Sequence, residues 1–255
     1  MIESFISHAV LVALRIGGLM TFAPFFSQTS LSVQVKAALT VALTVLLLPV
    51  YSSAASEPAT VSAAAWFGIA LGEAVLGLMA GFTTQFVFDG MELAGQLVGF
   101  QFGFSLVNVI DPNSEVEITV LSSFHELVAL LIFMVLGVHR ALLRAVAISF
   151  DLIPPGSWTS LHIPAVEVMK MAGSLWLIGV EIAFPVLLAT MLSDLAIGYM
   201  SKASPQFPAL FFGLSIKVLL GLAVLFGAVQ VWPAMLGHHF SSALTNLEKL
   251  LAISR

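Results

Sequence analysis

Apolar residues in this chain come in stretches of about twenty, long enough to span a bilayer. Almost every stretch is interrupted by paired glycines, a proline or a lone charged residue. Phe5 to Phe26 can cross about 30 Å of hydrocarbon at about 1.5 Å per residue, yet it holds Arg15 near its middle and then Gly17, Gly18 and Pro24. Ala37 to Tyr51 predicts a second helix, stopped by Pro49 and by the polar stretch Ser52 to Ser56. Trp66 to Phe88 predicts a third, with two glycine pairs at i,i+4 spacing, Gly68 with Gly72 and Gly77 with Gly81, which let a neighbouring backbone come close. From Gly90 to Gly103 the apolar density falls and Glu92, Gln96 and Gln101 enter, while Gly95, Gly99 and Gly103 keep the four-residue spacing. Phe104 to Glu117 reads as a loop, because Pro112 cannot continue a helix and Asp111 and Asn113 beside it have turn chemistry.

Phe124 to Phe150 predicts a further helix, apolar as far as Gly137 and then bearing His139, Arg140 and Arg144. Pro154-Pro155-Gly156 is the strongest breaker in the chain. Val166 to Met200 predicts a long helix containing Glu181, Pro185 and Asp194, with a kink near Pro185. Ser201 to Pro208 predicts a tight turn, Ala209 to Trp232 the second arm of a hairpin, and Leu236 to Ile253 an amphipathic tail. The pattern therefore predicts an all-α, polytopic membrane-type fold of about six long helices, arranged largely as hairpins with broken or kinked members.

Composition agrees with this reading. Hydrophobic residues make up 59% of the 255 and charged residues 9%, too apolar for one hydrated soluble domain. The formal charge of -5 is too weak and scattered for a nucleic-acid footprint. With no cysteine there are no disulfides, thiol nucleophiles or zinc-thiolate sites. Met1 to Arg15 lacks the basic opening of a cleaved secretory signal, so Met1 is expected to be retained.

Catalytic signatures fail. His125-Glu126 begins a zinc HExxH pattern, but the second ligand is replaced by Ala129. Gly103-Phe104-Ser105 resembles a serine-protease run only until Leu106. The pair His238-His239 opening the tail is read as solvated. No enzyme, cofactor or metal site is expected. The ionisable groups within or at the ends of apolar segments, Arg15, Glu73, Glu181, Asp194 and Lys217, are the candidates for buried polar contacts, pairing with one another or capping backbone across subunits, with a wet conduit or proton path as the alternative. Phe100, Phe102 and Phe104 flank the glycine ladder ahead of the Asp111-Pro112 loop, and with Leu106, Asn108, Asp111 and Pro112 they are the candidates for an apolar constriction or plug.

The order of these features resembles the FliR family of flagellar biosynthetic proteins. The resemblance is carried by Arg15 followed by Ala23-Pro24-Phe25, Lys36 and Pro49, then Glu73 with Gly77 and Gly81, and then Glu92, Gly95, Gln96, Gly99, Gln101 and Gly103 before Asp111-Pro112. Gly137 with His139, Asp194, Pro205-Gln206, and Lys217 with Gly221 extend it along the chain. Pro208 and Ser215 depart from the family's habit of an asparagine and a proline at those positions. The resemblance implies a multi-pass component of the flagellar basal body in the bacterial inner membrane. Such a chain assembles with FliP and FliQ homologues in a hetero-oligomeric ring of hairpins and works beside FlhB-type and FlhA-type export proteins, passing unfolded protein substrates in contact with membrane lipid. It also implies a FliP-like part over 1–150 and a FliQ-like hairpin with its amphipathic tail over 151–255. The loop around Phe104 to Glu117 would help to plug the closed pore.

Overall fold

The computed structural model describes residues 2–24, 32–51, 62–104, 120–157, 165–204 and 209–253. Among these there are eight helices and no strand: α1 (Ile2–Phe22), α2 (Val33–Tyr51), α3 (Ala63–Gln101), α4 (Val120–Val135), α5 (Val138–Leu152), α6 (Ala165–Ala203), α7 (Ala209–Val229) and α8 (Trp232–Ile253). Five helical segments are long and apolar enough to cross a membrane, or six if α4 and α5 together form one broken span. All of the expected Phe104 to Glu117 loop except Phe104 lies outside the described residues, and so do Pro205, Gln206 and Pro208 of the expected turn.

Two boundaries differ from the expectation, both because of glycine. The helices expected on either side of Gly90 are a single helix, the 39-residue α3. One interior glycine weakens a helix by only about 1 kcal/mol, and here the missing side chain is required: a Cβ on Gly90 would stand 2.9 Å from Ile178 Cβ. Conversely, the single helix expected over Phe124 to Phe150 is two, bent by 65° between α4 and α5. Gly137 makes the break with a left-handed φ of +69°, a conformation that a side chain disfavours. Pro49 lies in the last turn of α2, which ends at the expected Tyr51, and Pro185 lies inside α6, which continues through it. Pro185 has no N–H to give the Glu181 carbonyl one turn earlier.

Helices α3 and α6 each run for 39 residues. At about 1.5 Å per residue each is about 58 Å long, nearly twice the thickness of the hydrocarbon, and even a tilt of about 40° leaves about 45 Å along the bilayer normal. Part of each helix therefore lies beyond the hydrocarbon.

Packing divides the chain into two compact units built from non-consecutive stretches. Unit 1 comprises Met1–Phe86, Phe133–Ala172 and Phe240–Arg255, and unit 2 comprises Val87–Ile132 and Gly173–His239. These units cut across the expected division at 150, because α3 and α6 are long enough for each to contribute to both. In unit 1 the core is formed by Val12, Ile16 and Leu19 of α1, Leu48 of α2, Leu76 and Ala80 of α3, Leu142, Val146 and Phe150 of α5, and Leu247 of α8. In unit 2, α3 meets α6 where Gly90 abuts Ile178 and Gly179 abuts Leu93, and it meets α4 where Gly95 abuts Ser122. His125 and Trp232 stack in a tilted arrangement with ring centroids 4.8 Å apart, which joins α4 to α8.

Replacing Gly137 by alanine tests the break. It should destabilise the protein by about 1–2 kcal/mol through left-handed strain, read as a lower thermal midpoint in detergent; an unchanged midpoint would mean that the bend does not depend on this backbone conformation.

Candidate functional site

The most completely built polar arrangement lies in unit 1. Arg15, from the middle of α1, is 1% exposed, and Glu73, from α3, is 0% exposed. The arginine Nε donates to Glu73 Oε2 at 2.6 Å, one terminal nitrogen donates to Ser149 Oγ at 3.1 Å, and the other donates to the Ile153 carbonyl at 3.0 Å. Glu73 Oε1 accepts the Gly156 backbone N–H at 3.0 Å. The Phe150 ring lies beneath the guanidinium, 4.3 Å from Cζ, a cation–π geometry. Gly156 is left-handed, with φ +85°, so the Pro154-Pro155-Gly156 breaker does more than stop α5: it turns a backbone donor onto a buried carboxylate.

Glycine makes the approach possible. A Cβ on Gly77 would collide with the Arg15 carbonyl, one on Gly18 would stand 2.5 Å from the Ala74 carbonyl oxygen, and one on Gly81 would stand 3.0 Å from Phe22 Cβ. Helices α1 and α3 therefore cross almost backbone to backbone at the ion pair. Long side chains at the crossing would hold the charges apart.

A second polar arrangement lies in unit 2. Lys217 Nζ of α7 donates to Asp194 Oδ2 of α6 at 2.7 Å, and Gln101 Nε2, at the end of α3, donates to the same oxygen at 3.3 Å. The α3 helix ends here. Phe102 is 1% exposed and packs into the space left by Gly221, which is also bordered by Thr190, while Gly103, at φ +78°, lets the Phe104 N–H close the helix end on the Gly99 carbonyl at 3.0 Å. Glu181 pairs with His239, with 3.0 Å between Oε2 and Nε2, so this histidine is not the solvated residue expected. Among the described residues no three His, Asp or Glu side chains gather closely enough to hold a metal ion.

The structure treats the sequence candidates unequally. Arg15 and Glu73 come together, as do Asp194 and Lys217, whereas Glu181 and Asp194 are half exposed within the chain. Gly77, Gly81 and Gly95 make tight contacts inside the chain, Gly95 with Ser122. Gly72 and Gly99 are buried, and Gly68 faces open space. Phe100 is 73% exposed and Phe104 is exposed, but Phe102 is an internal anchor and cannot line a lumen, a correction to the expected constriction. Leu106, Asn108, Asp111 and Pro112 lie outside the described residues. Sequence reasoning missed Gly18, Ser149, Phe150 and Gly156, which look like ordinary core and turn residues. A short signal existed only for Gly156, since a glycine after two prolines offers a free N–H in a tight turn.

A family model described as bacterial export proteins, family 1, matches residues 6–243. The chain belongs to that family. Among its relatives is the flagellar biosynthetic protein FliR of Escherichia coli (strain K12), 27% identical over 241 residues that cover 94% of this chain and 90% of that protein. FliR of Caulobacter vibrioides (strain ATCC 19089 / CIP 103742 / CB 15) is 22% identical over 229 residues, 88% of this chain and 90% of that protein. FliR of Bacillus subtilis (strain 168) is 27% identical over 190 residues, covering 72% and 73%. The order of residues thus pointed to the family that the comparison finds. In this FliR-family chain the clasp at Arg15 joins α1, α3, α5 and the turn after α5.

Removing one partner of a buried pair strands the other charge at a cost of about 3–5 kcal/mol, whereas replacing both can be nearly neutral. Glu73→Leu and Arg15→Leu should each lower the thermal midpoint sharply in detergent. Glu73→Gln, which still accepts one hydrogen bond, should lower it less, and the double Arg15→Leu/Glu73→Leu variant should recover part of the loss. Strictly additive losses in the double variant would count against direct pairing.

Proposed function

We propose that this chain is a membrane subunit of the flagellar type III protein export gate, where it assembles with FliP- and FliQ-like subunits around the passage taken by unfolded flagellar proteins. The observation that carries the reading is the match of residues 6–243 to the export family, with the Escherichia coli FliR covered across nine-tenths of its own length. The structure supports it physically. Helices longer than a bilayer, half-exposed carboxylates and long exposed apolar faces suit a chain whose neighbours are other protein chains. The reading places the chain in the inner membrane at the flagellar basal body, beside FlhB- and FlhA-type proteins, and gives it no catalytic step.

The test is genetic and biochemical together. Deleting the gene should abolish swimming and secretion of flagellar subunits, and a tagged copy that restores both should co-purify with FliP- and FliQ-like chains. Secretion and swimming without this chain would overturn the proposal.

Within this reading, sealing at the end of α3 belongs to the exposed rings of Phe100 and Phe104. Phe102→Ala should destabilise the chain by about 3–5 kcal/mol through the cavity it leaves, without a specific leak. Phe100→Ala should leave the thermal midpoint unchanged and raise small-ion conductance of the assembled gate. A Phe100→Ala gate as tight as the parent would remove this ring from the seal.

A further inference from the structure

Charge is distributed unevenly between the two units. Unit 2 contains eight Asp and Glu residues against two lysines and no arginine, whereas unit 1 contains six acids against seven bases, so unit 2 carries all of the chain's negative excess. One of its acids is poorly placed for lipid. Asp194 is 49% exposed on α6, part of a span candidate with mean hydropathy 2.1, and both of its hydrogen bonds, from Lys217 and Gln101, go to Oδ2. Oδ1 accepts none. An unmatched carboxylate oxygen facing hydrocarbon costs several kcal/mol, so such a group faces protein or water.

The surrounding surface distinguishes between these two. One turn beyond Asp194 on the same side of α6 is Gly198, where an added Cβ would meet nothing within 4 Å. Met191, one turn before Asp194, and Leu195 are exposed. A helical glycine that spares no contact within its own chain gives up stability for nothing unless another backbone lies against it. A water-filled path would not favour large apolar side chains on both sides of the carboxylate. We propose that the α6 surface at Met191, Asp194 and Gly198 seats a helix of a neighbouring membrane subunit whose Lys or Arg donates to Asp194 Oδ1, with Gly198 allowing the two backbones to approach. The proposal rests on the reading of the chain as a gate subunit and adds the place and chemistry of one contact.

Gly198→Leu is the informative change, because a Cβ added there has nothing within 4 Å in this chain. The tagged full-length protein would be co-expressed with its FliP- and FliQ-like partners and the purified complex quantified. Gly198→Leu should reduce the recovered complex about tenfold, the equivalent of about 1.4 kcal/mol, while the thermal midpoint of the chain purified alone stays unchanged. Asp194→Asn should reduce recovery beyond any change in that midpoint, because a cation is left facing an amide; unchanged recovery would overturn the basic partner. Since the chain has no cysteine, Met191→Cys provides a single reporter. In the assembled complex it should resist a water-soluble maleimide, and labelling as fast as at an exposed loop cysteine would show a water-lined surface and overturn the proposal. Normal recovery of Gly198→Leu would show a lipid-facing surface and overturn it too. If wild type assembles and Gly198→Leu assembles equally, only this contact is wrong; if wild type itself is recovered alone, the gate reading fails with it.

Discussion

The buried ion pair of Arg15 with Glu73 is the constraint on which unit 1 depends. Taking two charges out of water costs several kcal/mol for each ion, and the cost is offset only where nearly every polar atom finds a partner. Both oxygens of Glu73 are engaged, the guanidinium reaches a carboxylate, a hydroxyl and a carbonyl, and its face rests on Phe150. Moving α1, α3 or the end of α5 by even an ångström would break one of these bonds. The apolar core around Val12, Leu76 and Phe150 is assembled about a charge whose geometry leaves little freedom.

Glycine sets that geometry. In lipid, apolar side chains gain little from leaving one another, so helices associate through close van der Waals contact and matched polar groups. Gly18 and Gly77 let α1 and α3 touch at the backbone, and Gly90 with Gly179 does the same for α3 and α6 in unit 2. The gap left by Gly221 is filled by Phe102, which fixes the end of α3 beside the Asp194, Lys217 and Gln101 network. Other glycines, such as Gly68, Gly173 and Gly227, border open space in this chain. Internal glycines and open ones are alike in residue type and spacing and differ only in what lies opposite.

This arrangement suits a subunit of a secretion gate. A gate must hold its walls fixed while a chain passes, and polar clasps between helices resist sliding in a way that smooth apolar surfaces do not, because a displaced bond in a low-dielectric setting leaves an unmatched group. The positions of Arg15 and Glu73 deep in unit 1, away from solvent, fit a role in holding the subunit's shape.

Much of the architecture was legible along the chain. Apolar length and breaker residues gave the helices, their approximate ends and a membrane-type fold, because transfer of side chains and local backbone sterics act within a turn or two. The order of Arg15, Glu73, the glycines and Lys217 was enough to indicate the family. The partner of each group was not legible. Phe100 and Phe102 stand two positions apart with the same side chain, but at 3.6 residues per turn two steps turn the direction by about 200° at the end of α3, and packing against Gly221 makes one an anchor and leaves the other exposed. Gly137 broke a helix that Gly90 did not, since only at Gly137 is the backbone left-handed. Arg15 meets Glu73 across 58 positions and Ser149 across 134, and Gly156 meets Glu73 across 83. No local pattern encodes contacts at such separations; they exist only once the helices are packed, and the packing decides which buried charge is satisfied and which glycine is a contact.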